Sequence, residues 1–243
     1  MFLLVSIARR LLFVAIALAI PLVACEFIAR TLVSVAVKNA IVARIGGGTA
    51  QIGFGSTPVL LQLVHGNLND VSVSEKHAHL GGLPSLSFNA KLTDVHLASV
   101  THLEGAIGEI TAQAHLDSHS VRDLLATPVC VNSLAPYLLT VLSERPRVGI
   151  STGDITLLPP RGHAVVLRLF PATVGHTLYF HVTGLVVNGT RAAAATLDSV
   201  AASVNCARAV TDLPFGLALL GASAKPDTLE LDFGASNASF STT

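Results

Sequence analysis

The chain has 243 residues, of which 51% are hydrophobic, only 5% aromatic and only 12% charged, and its 15 acidic side chains balance its 15 basic ones. Average soluble domains carry about 25% charged residues, so this chain has little polar surface. It contains no basic patch and no Lys/Arg run, which leaves nucleic-acid binding without electrostatic support.

An uncharged segment near the N-terminus is the clearest local signal. Arg9-Arg10 precede a run without charge from Leu11 to Cys25, and Glu26 closes it. This run suits a signal peptide, and extended through Ala29 it would make a marginal membrane anchor, because a span needs about 20 residues. In both cases the arginines stay cytoplasmic and the rest is exported. We therefore predict a signal peptide or anchor over 1–25 and one domain over 26–243.

The three cysteines fall into two groups. Leu22-Val23-Ala24-Cys25 resembles a bacterial lipobox with Cys25 as the acylated residue, and the alternative is a cysteine that merely ends an anchor helix. Cys130 and Cys206 remain as an even pair in an exported chain. They form either a disulfide or two buried thiols.

The next segment predicts a helix from Glu26 to Ile45, because apolar residues recur there at helical spacing and Arg30, Lys38 and Arg44 lie on the other side. A helix this apolar either continues the anchor or forms the buried axis of a sheet.

A glycine-rich and then strongly apolar stretch follows at Ile52–Val73. Its apolar part, Val59–Val64, contains a single amide, Gln62, and no nucleophile or general base. We interpret the stretch as the turn that delivers the chain into an apolar sheet. The residues predicted to set this turn are Gly53, Gly55, Pro58 and Gly66.

Alternation with a period of two predicts strands in the rest of the first half. The alternating segments are Val71–Val73, Leu86–Leu92 and Ile110–Leu116. From Val95 onward the apolar residues continue in the opposite phase, which predicts a bulge near Asp94.

The second half mixes helices and strands. Ser120 with Asp123 resembles a capping box for a helix ending at Pro128, and a second helix is predicted at Ser133–Glu144. Arg191–Ala209 is predicted to be helical, although Asn188-Gly189 can instead close a hairpin. Further strands are predicted at Val148–Leu158, Ala164–Phe170, Thr177–Val187 and Leu229–Phe233. The whole pattern indicates an α+β fold with a large antiparallel sheet.

Catalytic motifs are missing from the sequence: there is no G-x-S-x-G, no phosphate-binding loop and no H-E-x-x-H. His77 and His79 share a strand face and His115 and His119 are four apart, but no carboxylate completes a zinc set, so we interpret them as solvated. We predict no catalytic centre, no metal and no cofactor. An exported hydrolase remains an alternative, because a catalytic triad is not recognisable from sequence position.

Aliphatic surface is what this sequence offers in excess. A long apolar sheet face with few aromatics suits acyl chains, and each buried methylene contributes about 0.8 kcal/mol. Every sheet also needs an apolar face for its own core. The alternative is therefore an envelope scaffold whose sheet packs on itself.

Two motifs resemble a known family. The pattern GFG-x-x-P-x-L-L-Q-L-x-x-G-x-L-x-x-V-x-V at Gly53–Val73 and L-P-F-G-L at Leu213–Leu217, after an N-terminal anchor and an apolar helix, resemble the LmeA-like (lipomannan elongation factor) family of actinobacterial phospholipid-binding proteins. Gly81-Gly82 resembles a family turn, and Leu229–Phe240 follows as the terminal strand. Cys25 and the many histidines depart from the family pattern and leave the mode of anchoring open.

This resemblance implies a fold, a ligand and a location. The fold is a large curved antiparallel sheet wrapped around a long apolar helix (TULIP-like), with a groove for acyl chains. The implied partners are a phospholipid and the plasma membrane, at the outer, periplasmic face of the cell envelope, in lipomannan biosynthesis or lipid transfer. Arg147 or Arg161 is our candidate for a headgroup phosphate. The residues we expect to contact acyl chains or shape the groove are Phe54, Leu60, Leu61, Leu63, Phe215 and Leu217.

Overall fold

The computed structural model describes residues 19–35, 37–39, 44, 50–99, 104–126, 147–158, 165–204 and 206–240. The predicted helix at Ser133–Glu144, together with Cys130 and Arg161, lies outside these residues. The helices are α1 (Ala19–Asn39), α2 (Val59–Val64), α3 (Ser118–Leu125), α4 (Ala194–Ser203) and a 3₁₀ turn (Pro214–Gly216). The strands are β1 (Gln51–Phe54), β2 (Asn67–Leu68), β3 (Val71–Ala78), β4 (Leu86–Ser99), β5 (Glu104–Asp117), β6 (Arg147–Ser151), β7 (Asp154–Leu158), β8 (Val165–Val174), β9 (Thr177–Val187), β10 (Thr190–Arg191), β11 (Cys206–Ala209), β12 (Ala218–Lys225) and β13 (Thr228–Phe240).

These strands form two antiparallel sheets. Sheet I has the order β1-β3-β4-β5-β13-β12, with β2 on β4, and sheet II has the order β10-β9-β8-β7-β6, with β11 on β9. Backbone hydrogen bonds join the sheets, from Gly153 N to Ala224 O (3.0 Å) and from Asp227 N to Ile150 O (3.2 Å). The α+β class is confirmed, but the prediction of one large sheet is corrected to two sheets, neither of them closed or curled.

A shared feature of β4, β5 and β13 explains the phase change seen in the sequence. Asp94 and Asn237 have positive φ (52° and 53°), and both lie opposite Gly108 in the pairing of these strands. The register is the same on both sides of this row, so the strands contain no extra residue there. Buried positions resume one residue late, at Val95 and Ala238. The predicted phase change is confirmed, but its cause is a left-handed backbone and not a bulge in register.

The N-terminal helix differs from its prediction. Helix α1 is already formed at Ala19, so it runs unbroken through Glu26, where the helix was predicted to begin. Among the described residues of α1, only Ala29 and Val33 are buried in the core, and Val37 packs partly against it. A sheet wrapped around a buried helical axis is not confirmed, because most of the large apolar side chains of α1 are exposed.

The run Val59–Val64 is a short helix, whereas the sequence predicted a turn leading into the sheet. A continuous apolar run has neither helical nor strand periodicity, so its pattern did not distinguish the two. Pro58 precedes the helix and Gly66 follows it with φ of 65°. Both are among the predicted turn residues. Pro58 marks the start of the helix and Gly66 follows its end.

Other local predictions need smaller corrections. Asp117, and not Ser120, caps α3, because its carboxylate accepts the Ser120 N–H (2.8 Å). Pro171 lies inside β8, beyond the last residue of β8 that pairs with β7, so its missing N–H breaks no ladder bond on that side. The Asn188-Gly189 turn and a helix both form, as the β9–β10 hairpin and then α4.

Candidate functional site

The inner face of sheet I carries a patch of apolar side chains from the neighbouring strands β3, β4 and β5. Val73 on β3, Phe88 and Leu92 on β4 and Ile110 on β5 are buried, and Ala90 between them is half-buried. All five belong to the alternating apolar positions of their strands, so the pleat directs them to one side. These five side chains therefore form an apolar patch, and the next inward position of β3 is the buried carboxylate Glu75.

A strained turn covers this patch. Phe215, in the 3₁₀ turn Pro214–Gly216, has φ 57° and ψ 23°, a left-handed conformation that costs an L-residue roughly 1–2 kcal/mol. One backbone hydrogen bond, from Leu217 N to Pro214 O (3.1 Å), closes the turn. The turn therefore holds an aromatic ring over the sheet at a cost in backbone strain.

Between the turn and the sheet lies a small apolar cleft. Its volume is about 20 Å³, room for little more than one water molecule, whereas ligand sites typically measure about 300–1,000 Å³. The cleft is therefore closed in this conformation. It is lined by Val73, Phe88, Ala90, Leu92, Ile110, Pro214, Phe215 and Leu217.

The side chain of Arg44 lies next to this turn. The guanidinium carbon of Arg44 lies 5.6 Å from the centroid of the Phe215 ring, within cation–π distance. Arg44 is exposed, so its charge is also open to solvent. The apolar cleft is chemically suited to the hydrocarbon end of an amphiphile. The arginine above its covering ring is suited to an anionic headgroup.

A second, broader groove of about 520 Å³ lies beyond the row of Asp94, Gly108 and Asn237. It is open to solvent and has a mixed lining that includes His65, His96 and Glu104. Its position and polarity set it apart from the cleft under Phe215. The groove has a volume typical of ligand sites but a partly polar lining, whereas the lining of the cleft is entirely apolar.

The predicted contact residues separate into three groups. Phe215 and Leu217 line the cleft. Phe54 on β1 and Leu60 and Leu63 on α2 are half-buried and pack against the core, but they are not in the cleft lining. Leu61 is exposed on α2. Of the two headgroup candidates, Arg147 is exposed at the start of β6 and Arg161 lies outside the described residues.

Polar clusters in the described residues are sparse. No group of three or more His, Cys, Asp and Glu side chains among those residues is arranged to hold a metal ion. His115 lies 3.8 Å from Glu230, and His119 lies 3.2 Å from Asp123. The first pair joins the adjacent strands β5 and β13, and the second joins two residues one turn apart on α3.

A family comparison is decisive here, since a model for LmeA-like phospholipid-binding proteins matches residues 24–233. The chain belongs to this family. Comparisons with curated proteins and with solved structures found no match. The match spans both sheets, the cleft and the Phe215 turn. The family is a lipid-binding one and not a known enzyme family, so lipid binding is the function that its membership supports.

Helix α1 supplies the feature relevant to a membrane. Its 21 residues are long and apolar enough to cross a bilayer by length and composition, as the signal sequence of an exported protein also is. Cys25 is an exposed free thiol within this helix. Cys206 is buried and disulfide-bonded, and its pairing with Cys130 stays a prediction because Cys130 lies outside the described residues.

Sequence reasoning named the strands of the cleft but not the cleft itself. Their alternation identified the inward positions, and the smallest of these, Ala90, was the available signal of unfilled space. Pro214 is part of the L-P-F-G-L motif at Leu213–Leu217, but it was not predicted to line a site. Arg44 had no local signal, because its contact with Phe215 joins residues far apart in sequence.

Proposed function

We propose that the protein is an exported, membrane-tethered phospholipid-binding protein that holds acyl chains against sheet I, beneath the Phe215 turn. It would serve lipomannan biosynthesis or lipid transfer at the outer, periplasmic face of the plasma membrane. The observation that carries the proposal is the wholly apolar cleft beneath a strained turn. Family membership supports the phospholipid as ligand.

Ligand entry requires the turn to move, because the closed cleft holds no chain. Displacing Phe215 relieves its left-handed backbone and exposes Val73, Leu92 and Ile110. An acyl chain would then cover that surface, at about 0.8 kcal/mol for each methylene removed from water. The strain stored in the turn lowers the free-energy cost of opening.

Headgroup recognition falls to Arg44 in this proposal. Its guanidinium sits over the Phe215 ring, so opening of the turn would leave a cation at the mouth of the cleft. Guanidinium groups bind phosphate by paired, charge-assisted hydrogen bonds. Phe54, Leu60 and Leu63, which pack against the same core, would shape the groove around the bound chain.

The tether would be α1 or an acylated Cys25. Retention of the N-terminal segment makes α1 the anchor, whereas processing at the lipobox would place acyl chains on Cys25. Both forms hold the domain at the outer face of the membrane. Intact mass measurement of the membrane-extracted protein separates them, because lipobox processing hydrolyses the Ala24–Cys25 peptide bond, which removes the preceding residues, and adds the mass of the lipid on Cys25.

An envelope scaffold is the second candidate, and the small volume of the cleft favours it. A scaffold predicts that the turn stays closed and that no lipid is carried. Native mass spectrometry of the full chain, released from detergent after incubation with phosphatidylglycerol vesicles, distinguishes the two. If the protein binds lipid as proposed, we expect one phospholipid to be bound per protein chain.

A matched pair of substitutions places the ligand. Ala90→Phe puts a ring into the cleft and should abolish most of the bound lipid, whereas Ala172→Phe adds the same ring at a half-buried position of β8 and should leave it unchanged. Thermal melts confirm that both variants are folded. Equal lipid loading of the two variants would contradict the cleft as the site, and an empty wild-type chain would favour the scaffold.

A further inference from the structure

Helix α2 is capped by a residue of α1. Glu26 Oε1 accepts the Val59 N–H at 2.7 Å and Oε2 accepts the Leu60 N–H at 2.9 Å. Pro58, the residue before α2, makes no side-chain capping bond, so the first turn of α2 depends on this carboxylate. Arg30 Nε donates to the same carboxylate at 2.7 Å. These bonds fix the start of α2 beside Glu26.

Helix α2 is apolar on its outward side as well as towards the core, unlike a surface helix in water. Its only polar side chain, Gln62, is buried and satisfied, with Nε2 bonded to Thr57 O (2.8 Å) and Oε1 accepting the Asn69 N–H (2.6 Å). The outward side carries Leu61, 54% exposed, and Val64, 81% exposed. A water-facing surface helix normally places its charged residues there. This side of α2 is built for an apolar surrounding.

The outward side of α1 has the same character. Its large apolar side chains are exposed both before and after Glu26, and its first seven residues belong to the uncharged run Leu11–Cys25. Scattered exposed apolar residues are ordinary, but a contiguous set indicates an interaction surface. The exposed residues on this side are Ile20, Val23, Phe27, Ile28, Leu32 and Val35.

We propose that α2 and the outward side of α1 after Glu26 rest in the interface of a lipid bilayer, and that Glu26 sets the depth of α2. The inference rests on the tether of the proposed function. A retained anchor that ends with the uncharged run at Cys25 and an acylated Cys25 both place the hydrocarbon within one residue of Glu26. The hydrogen bonds to Val59 and Leu60 hold α2 at that depth, where Leu61 and Val64 meet acyl chains and Arg30 meets phosphates.

The absence of tryptophan from the chain provides a direct test. Single variants Leu61→Trp and Val64→Trp are reconstituted as full-length protein in phosphatidylglycerol–phosphatidylcholine vesicles containing brominated acyl chains. Val174→Trp on β8 and Leu220→Trp on β12 are matched controls, because those side chains are 67% and 65% exposed. We expect emission from positions 61 and 64 to be blue-shifted and quenched several-fold more by brominated lipid than emission from the controls.

Two results would overturn the proposal. Emission at positions 61 and 64 that is quenched by aqueous acrylamide as strongly as at the controls would place α2 in water. Shielding that depends on protein concentration, without quenching by brominated lipid, would make the surface a contact between two copies. Lipid occupancy of the same variants, measured by native mass spectrometry, is independent, so loss of the docking surface leaves the lipid-binding proposal standing.

The depth-setting role of Glu26 has its own readout. Glu26→Ala in the Val64→Trp background removes both bonds to α2, and we expect quenching by brominated lipid to fall towards the control level. The same substitution in the Leu220→Trp background should change nothing. Unchanged quenching at position 64 would show that α2 reaches the bilayer without the Glu26 bonds.

Discussion

Sheets I and II share an antiparallel design but differ in how their inner faces are filled. The inner face of sheet II is made of large aliphatic side chains that are almost fully buried: Ile155, Leu157, Leu167, Leu169, Leu178 and Leu185. The middle of sheet I instead places alanines, Ala90, Ala112 and Ala114, next to Phe88 and Phe233. Small residues at the centre of a strand leave space that a neighbouring element must fill.

The difference supports sheet I as the proposed site of the ligand. Opening sheet II would break the interdigitated contacts of many leucines, each worth about 2–5 kcal/mol when truncated. Opening sheet I displaces one short turn, closed by one backbone hydrogen bond and strained at Phe215. We therefore expect sheet II to be the rigid sheet and sheet I the adaptable one.

Removal of the disulfide at Cys206 carries the largest expected effect. Cys206 on β11 is disulfide-bonded, and we propose Cys130 as its partner. Cys206→Ser should lower the free energy of unfolding by about 4 kcal/mol, because the loop from 130 to 206 is long and its closure restricts the unfolded chain. Chemical denaturation under non-reducing conditions measures the change.

Cys25→Ser is the matched control, since Cys25 is a free thiol. We expect it to leave denaturant unfolding unchanged, and we expect Cys206→Ser to retain lipid binding below its melting temperature. Loss of lipid binding from a still-folded Cys206→Ser variant would contradict the division of roles between the sheets. Peptide mapping without reductant tests the proposed pairing itself.

Most strands were predictable from sequence, because apolar and polar residues alternate along a strand that is buried on one face. Leu229, Leu231 and Phe233 are all buried, and the phase change near Asp94 was visible as two apolar residues out of step. Alternation specifies which side chains point inward. It does not specify which strands pair, so the separation into two sheets was missed.

Long-range polar contacts were not predictable in the same way. Glu26 appeared as the charge that ends an apolar run, but its carboxylate binds the start of α2, and no local pattern marks that contact. The same carboxylate accepts the first two N–H groups of the helix Val59–Val64. The cleft was missed for a related reason, because the Phe215 turn meets β3–β5 from a distant part of the chain.

Phe215 offers a test of the strain attributed to sheet I. Phe215→Gly and Phe215→Ala both remove the ring, but only glycine adopts φ of 57° without penalty. The glycine variant should therefore be more stable than the alanine variant by about 1–2 kcal/mol. Thermal denaturation of the two gives the difference, and a more stable alanine variant would show that the turn relaxes and stores no strain.

The smallest expected effect concerns α3, which packs against β5 and β13 of sheet I and β6 of sheet II and so joins the two regions. Asp117 caps it, and the Ser120 N–H bonded to its carboxylate lowers the Asp117 pKa below the usual 3.8. Asp117→Ala should lower the free energy of unfolding by about 1 kcal/mol at neutral pH, whereas Asp117→Asn keeps a good cap and should cost little.

Because folding lowers the Asp117 pKa, the charged cap contributes stability above pH 3.8, and this contribution disappears as the pH falls through the folded-state pKa. The stability advantage of the wild type over Asp117→Asn should therefore shrink in acid, as denaturant titrations over a pH series would record. An advantage that is independent of pH would mean that the Asp117 cap owes nothing to its charge, and the joint between the filled and the adaptable sheet would then rest on packing alone.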